Sequence, residues 1–188
     1  MKRKEDLRVT KTKKNLYEGL LTLMKNKTFE EIKVSDICQI SLTNRSTFYD
    51  HFNDKYELLS SLIHDLEEEL IIKLQENKNL QTAKEYYLQM ISLLLDHITE
   101  NIDIYTSIIK NNNNSIANDM LRNTLLKDVE KHIEANHNYQ GKIPLEIISN
   151  FYVSAVINVC VSYIVEPKKY SKDDILSYIS QLLPDNIY

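Results

Sequence analysis

Residues Val34 to Leu58 read V-S-D-I-C-Q-I-S-L-T-N-R-S-T-F-Y-D-H-F-N-D-K-Y-E-L. The run divides into two short helical pieces joined by a turn, followed by the opening of a longer helix. Ile37 and Ile40, three positions apart, set apolar side chains on one face of the first piece. Ser41-Leu42-Thr43 is the turn, and Asn44 stands where a side-chain oxygen caps the next helix. Phe48 and Phe52, four apart, share a face there and are assigned to the core. Arg45, Ser46, Thr47, Tyr49 and His51 spread over the rest of that helix. Asp54-Lys55-Tyr56-Glu57 has the spacing of a capping box. A short helix with Arg, Ser, Thr and Tyr near its start suits the major groove. Its first N–H groups face phosphate and its side chains reach base edges.

Charge agrees with this reading. Residues 1–55 carry 12 Lys and Arg against 8 Asp and Glu, while the remaining 133 residues carry 11 against 19. The halves are therefore +4 and −8, matching the net −4 of the chain. A basic end on an acidic protein is the footprint of a nucleic-acid module joined to something that does not touch nucleic acid. The first residues, Met1-Lys2-Arg3-Lys4, with Arg8, Lys11, Lys13 and Lys14, reach either phosphate or the minor groove, or form a solvated tail.

Composition points to helices throughout. The chain of 188 residues has 2 Gly and 3 Pro, with none of the prolines before Pro144, which leaves little room for hairpins. Periodicity predicts a first helix from Leu7 to Lys27 and a long helix from Asp54 to Lys78. Further helices are expected over Thr82–Ile98, Ile102–Lys110, Ser115–Ala135, Ile143–Val165 and Ser171–Leu183. Ile143–Val165 is the most apolar stretch, and its 23 residues are long enough to cross a bilayer. Glu146, Asn150, Asn158 and several serines point instead to a helix buried in a domain and pressed on a partner, with no membrane. Small Ser154, Ala155 and Ser162 permit close approach. Cys38 and Cys160 lie in different units, as buried thiols of a cytoplasmic protein do, and the polar N-terminus is not a signal peptide.

The stretch Thr47 to Leu59, T-F-Y-D-H-F-N-D-K-Y-E-L-L, resembles the DNA-binding segment of the TetR/AcrR family of transcriptional regulators, T-F/L-Y-x-H/Y-F-x-S/D/N-K-x-x-L. Upstream, Thr28-Phe29-Glu30-Glu31-Ile32-Lys33-Val34 before Asp36-Ile37 is similar to the family's F-x-x-I-T-V-x-x-I. The resemblance covers about residues 8 to 60. It departs at Leu42-Thr43, where the family usually has Gly-Val, and Asp50 adds a negative charge to the reading helix.

The resemblance implies an all-α fold, with a three-helix helix-turn-helix domain over residues 1–60 and a helical ligand-binding and dimerisation domain over 61–188. Residues 54–78 would link them. It implies a double-stranded DNA operator as partner and a homodimer through Ile143–Val165 and Ser171–Leu183, paired with their copies. Among DNA contacts it implicates Asn44, Ser46 and Thr47, with Arg45 also suited chemically because its fork binds guanine bidentately. Tyr49 and Lys55 match family positions that meet phosphate, Lys33 stands where a phosphate-binding Thr is common, and His51 is a phosphate donor or a packed ring. Tyr86, Tyr87, Met90, His97, Tyr105, Met120 and Tyr152 are candidates to line an effector pocket.

No enzyme, cofactor or metal is expected. Glu134 and His137 form half of a di-iron pattern whose other half is missing, and Asp96-His97 with Glu100 is a smaller cluster. The competing function is an adaptor of the same fold, in which Asp50 and the altered turn weaken DNA binding and a protein partner takes its place.

Overall fold

The structure, a computed structural model, describes residues 7–76, 82–112, 116–135 and 143–183. Among them lie α1 (Leu7–Met24), α2 (Val34–Ile40), α3 (Arg45–His51), α4 (Lys55–Glu76) and α5 (Ala83–Glu100). α6 (Ile102–Asn112), α7 (Ile116–Ala135), α8 (Leu145–Val165) and α9 (Lys172–Leu182) follow. The described residues are all-helical in their regular structure, as the scarcity of Gly and Pro requires. The break expected at 77–79 lies outside the described residues.

Two compact units emerge. The first holds residues up to His64 together with Ser107–Met120; the second holds Asp65–Thr106 and residues from Leu121 onward. In the first unit Leu16, Leu20, Phe29, Ile37, Phe48 and Leu58 are completely buried. Removing such side chains from water supplies about 1.5–3 kcal/mol each. α1 ends three residues short of Lys27, because the chain tightens into turn bonds, with Asn26 N donating to Leu23 O at 3.0 Å.

α2 lies unusually close to α1, and Gly19 is the reason. A Cβ at residue 19 would stand 3.2 Å from Ser41 Cβ and 3.4 Å from Ile37 O. The face of α2 that meets α1 is Ile37, Cys38 and Ser41, all buried. Ile40 is a correction to the sequence reading: it is 44% exposed, because it sits about 100° around the helix from the centre of that face.

The α2–α3 turn closes as a Schellman motif. Thr43 N donates to Cys38 O at 3.0 Å and Leu42 N to Gln39 O at 3.4 Å. That motif needs a left-handed residue, and Leu42 supplies it at φ 52°. Thr43 Oγ1 donates to Ser41 O at 3.2 Å, bracing the turn with a hydroxyl that valine would lack.

Two caps differ in detail from expectation. Asn44 is the N-cap residue of α3 by its extended backbone, but its side chain makes no capping bond. Asp54 Oδ1 accepts from Tyr56 N and Glu57 N, both at 2.8 Å. The reciprocal half is displaced by one residue, since Glu57 Oε2 accepts from Asn53 N and Asn53 Nδ2 at 2.7 Å. Asn53 competes for the same carboxylate with two donors.

In the second unit α5 packs against α8 and α9. Thr82 with Glu85 and Ser171 with Asp174 form complete capping boxes, fixing where α5 and α9 begin. α8 starts at Leu145, two residues later than expected, because Pro144 takes the N-cap position. Ile91, Leu95, Ile98, Val153, Cys160 and Ile164 are buried. Burial pushes the Cys160 thiol up to about 12, so it stays protonated.

One face of α8 stays uncovered. Ile147, Phe151, Ala155, Asn158, Ser162 and Val165 are exposed, within an arc of about 80°. Ser154 borders this face, half-buried, and accepts from Arg122 Nη2 at 2.8 Å. By length and composition α8 also meets the description of a membrane span, with a mean hydropathy of 1.7.

A non-glycine residue in the left-handed region costs about 1–2 kcal/mol, partly offset by glycine's greater entropy loss on folding. Leu42 is 94% exposed, so no packing is at stake. Leu42→Gly is therefore expected to raise stability by up to about 1 kcal/mol in chemical denaturation. A loss of stability would disprove the strain argument.

Candidate nucleic-acid interface

α3 is held by its apolar side. Phe48 is buried completely and Phe52 almost so, with ring centroids 6.0 Å apart and Tyr17 a further 6.3 Å from Phe52. Tyr17 in turn shares a 2.8 Å hydroxyl hydrogen bond with Ser61 of α4. With that side fixed, Asn44, Arg45, Ser46, Tyr49 and Asp50 are exposed, and Thr47 and His51 are half-buried.

Arg45 and Tyr49 act as a pair. Arg45 Nη2 donates to Tyr49 Oη at 3.4 Å, and its guanidinium lies 5.7 Å from the Tyr49 ring centroid. The Tyr49 hydroxyl is also the main cause holding the Arg45 pKa above its ordinary value. Tyr49 stands edge-on to Phe48 at 5.4 Å, which limits the directions its hydroxyl can take. His51 lies 6.3 Å from Phe52, so its ring packs against the core edge. Lys33 is exposed at the N-cap of α2, and its N–H donates to Asp36 Oδ2 at 3.4 Å.

Lys55, for which the resemblance implied a phosphate contact, turns inward. Its ammonium donates to Phe29 O, Glu30 O and Ile32 O at 2.8, 2.9 and 2.8 Å. A lysine has three N–H donors, and all are engaged inside the protein. Burial lowers its pKa, with the Glu30 carboxylate opposing the shift.

Sequence reasoning passed over three residues that position this surface. Gly19 permits the α1–α2 approach; a glycine inside a helical pattern was the available signal. Glu30 Oε1 accepts from Ile116 N at 2.8 Å, and Asn111 Nδ2 donates to Lys25 O at 2.6 Å. Those pairs are 86 residues apart, and nothing local announces them.

The family model described as the transcriptional regulator C-terminal region, of the TetR type, matches residues 85–185, more than half of the chain. The chain belongs to the TetR family of transcriptional regulators. Its fold is that of a TetR regulator from Streptococcus agalactiae, at 22% identity and TM-score 0.63 over 93% of this chain and 94% of that one. FadR from Bacillus subtilis, solved with stearoyl-CoA, is similar at 14% identity and TM-score 0.59 over 90% and 96%. The dihydroxyacetone kinase operon activator DhaS follows at 24% identity and TM-score 0.55 over 91% and 93%. Among curated protein sequences, none matches the chain.

In this TetR-family chain the pocket candidates are distributed among separate groups. Tyr87 Oη donates to Tyr152 O at 2.9 Å, with the two rings edge-to-face at 5.4 Å. His97 meets Tyr105 edge-to-face at 5.8 Å, about 15 Å further along α5. Tyr86, Met90 and His97 follow one stripe of α5, whereas Tyr87 points to α8. Met120 belongs to the first unit. A surface hollow of about 470 Å³ lies between α7 and α8, lined by Asn123, Leu126, Lys127, Glu130, Glu146 and Asn150, none of them a candidate. Asp96 is salt-bridged to Lys172 at 2.6 Å, and His137 of the weighed metal pattern lies outside the described residues.

His97 gives the second unit a pH dependence. Burial is the main cause holding its pKa below the ordinary 6.5; Glu69 and Glu100 raise it and Lys73 lowers it further. The unfolded chain then binds the proton more readily, so stability is fully present above pH 6.5 and declines as pH falls below it. Carboxylates held low, such as Glu69, act in a separate window below about 4.5. The expected outcome is a melting temperature that drops below pH 6.5, with the drop in that window reduced in His97→Gln. An unchanged profile in the variant would remove His97 from the explanation.

Proposed function

We propose that this chain is a ligand-responsive repressor that binds a palindromic operator as a homodimer. Residues 1–60 read DNA, 54–78 link, and 61–188 bind effector and dimerise. The observation that carries the reading is the side of α3 that bears exposed Asn44, Arg45, Ser46 and Tyr49 beside half-buried Thr47, rooted by buried Phe48 and Phe52. Arg45 is the base-reading group, Tyr49 a phosphate ligand, and Lys33 and His51 flanking contacts.

One reading helix covers too few bases, and a second copy supplies another about 34 Å away or more. The uncovered face of α8, with Phe151 69% exposed, and Leu182 of α9, 83% exposed, supports pairing of these helices with their copies. An effector bound by the second unit alters the spacing of the reading heads, and operator binding weakens effector affinity by the same factor. Acyl-CoA, the class named for the FadR structure, is one class to test. Such a protein acts in the cytoplasm.

The experiment selects duplexes from a randomised pool with purified protein. Enrichment of a palindrome supports the reading; no enrichment refutes it. On the selected duplex, Arg45→Ala is expected to cost about 1–3 kcal/mol of affinity and Tyr49→Phe a smaller loss, both with unchanged melting. If neither variant binds more weakly, α3 is not the reader. Phe151→Asp is expected to shift sedimentation from dimer to monomer, and a retained dimer would move the interface elsewhere.

A second reading is an adaptor or activator working through a protein partner. Leu42 and Ile40 leave an exposed apolar corner beside α3, and Asp50 is an exposed negative charge on it. DhaS is named as an operon activator. In that case the pool yields no duplex.

A further inference from the structure

We propose that Lys55 is a positioning residue for DNA recognition, one whose ammonium clamps the turn before α2 to the start of α4 and makes no phosphate contact. The inference rests on the DNA-reading function proposed above and assigns one of its residues a different task.

The turn needs such a partner. Glu31 N donates to Thr28 O at 3.1 Å and Ile32 N to Phe29 O at 3.3 Å, a short reversal whose last carbonyls have no helical continuation. Phe29 O, Glu30 O and Ile32 O converge on one point, and the Lys55 Nζ occupies it at 2.8–2.9 Å. The Phe29 and Tyr56 rings flank it at 4.9 and 5.4 Å from their centroids. The other side of the turn is held by Glu30 Oε1 to Ile116 N and by Asn111 Nδ2 to Lys25 O. Ile32 immediately precedes Lys33, the N-cap of α2. The clamp therefore sets where α2 begins, and through the Schellman turn where α3 begins. A phosphate oxygen could take this ammonium only by breaking one of its three carbonyl bonds.

The test uses the full-length protein and the duplex selected by the wild type from a randomised pool. Lysine-ammonium ¹⁵N–¹H correlation spectra are expected to show a slowly exchanging Lys55 signal that duplex leaves in place. Lys55→Met, at a temperature where circular dichroism shows it folded, is expected to bind more weakly by one factor at every salt concentration. Its slope of log affinity against log salt is unchanged, and Lys55→Arg, which keeps the charge, does not restore affinity. A phosphate ligand behaves differently: the slope falls by about 0.9 for each lost contact and arginine rescues. Either of those results, or a Lys55 signal displaced by duplex, overturns the proposal. If Lys55→Met does not fold, the wild-type spectra decide alone. A wild type that shows the slow signal but retains no duplex refutes the DNA-reading function while the clamp stands, leaving the positioning role without an object.

Discussion

A helix of seven residues does not hold itself together in water, because helix nucleation costs more than so few hydrogen bonds return. α3 exists because Phe48 and Phe52 are buried against the first unit. Everything that reads outward from it inherits its geometry from that burial. Around the two rings, Tyr17 reaches both Phe52 and Ser61, tying α3 to α1 and α4. α2 meets α1 at residue 19, where a Cβ would stand 3.2 Å from Ser41 Cβ and crowd the contact. The reading face is thus a consequence of core packing, with no bond of its own to the rest of the fold beyond its backbone.

Against that packed core the connecting turns carry the structural cost. Leu42 accepts a left-handed backbone that glycine would adopt more cheaply, and three carbonyls before α2 converge on one ammonium. Both features lie at the two ends of α2, the helix that delivers α3 to its place. In the second unit complete capping boxes open α5 and α9, and its unusual feature is what it leaves uncovered on α8.

Much of this was legible beforehand, and particular residues show why. The burial of Phe48 and Phe52 follows from i, i+4 spacing, and the start of α5 and α9 from Thr82-Glu85 and Ser171-Asp174. These signals span a turn or two of helix. The same local rules misplaced Ile40, because whether a residue on a short helix is covered depends on which side its neighbour approaches. They gave Asn44 a capping bond that it does not make, and divided Asp54-Glu57 one residue from where the carboxylate binds.

By itself, the sequence determined the helices, the caps of α5 and α9, the basic segment and the family, because periodicity, capping and the Thr47–Leu59 motif are written in neighbouring residues. Tertiary structure alone decided that Lys55 turns inward to carbonyls 23 to 26 residues away and that Ser107–Met120 joins the first unit. It also decided that the pocket candidates divide into separate groups. The physical reason is common to them: a side chain's partner is chosen by which distant surface the fold brings within reach, and hydrogen bonds act over only about 3 Å.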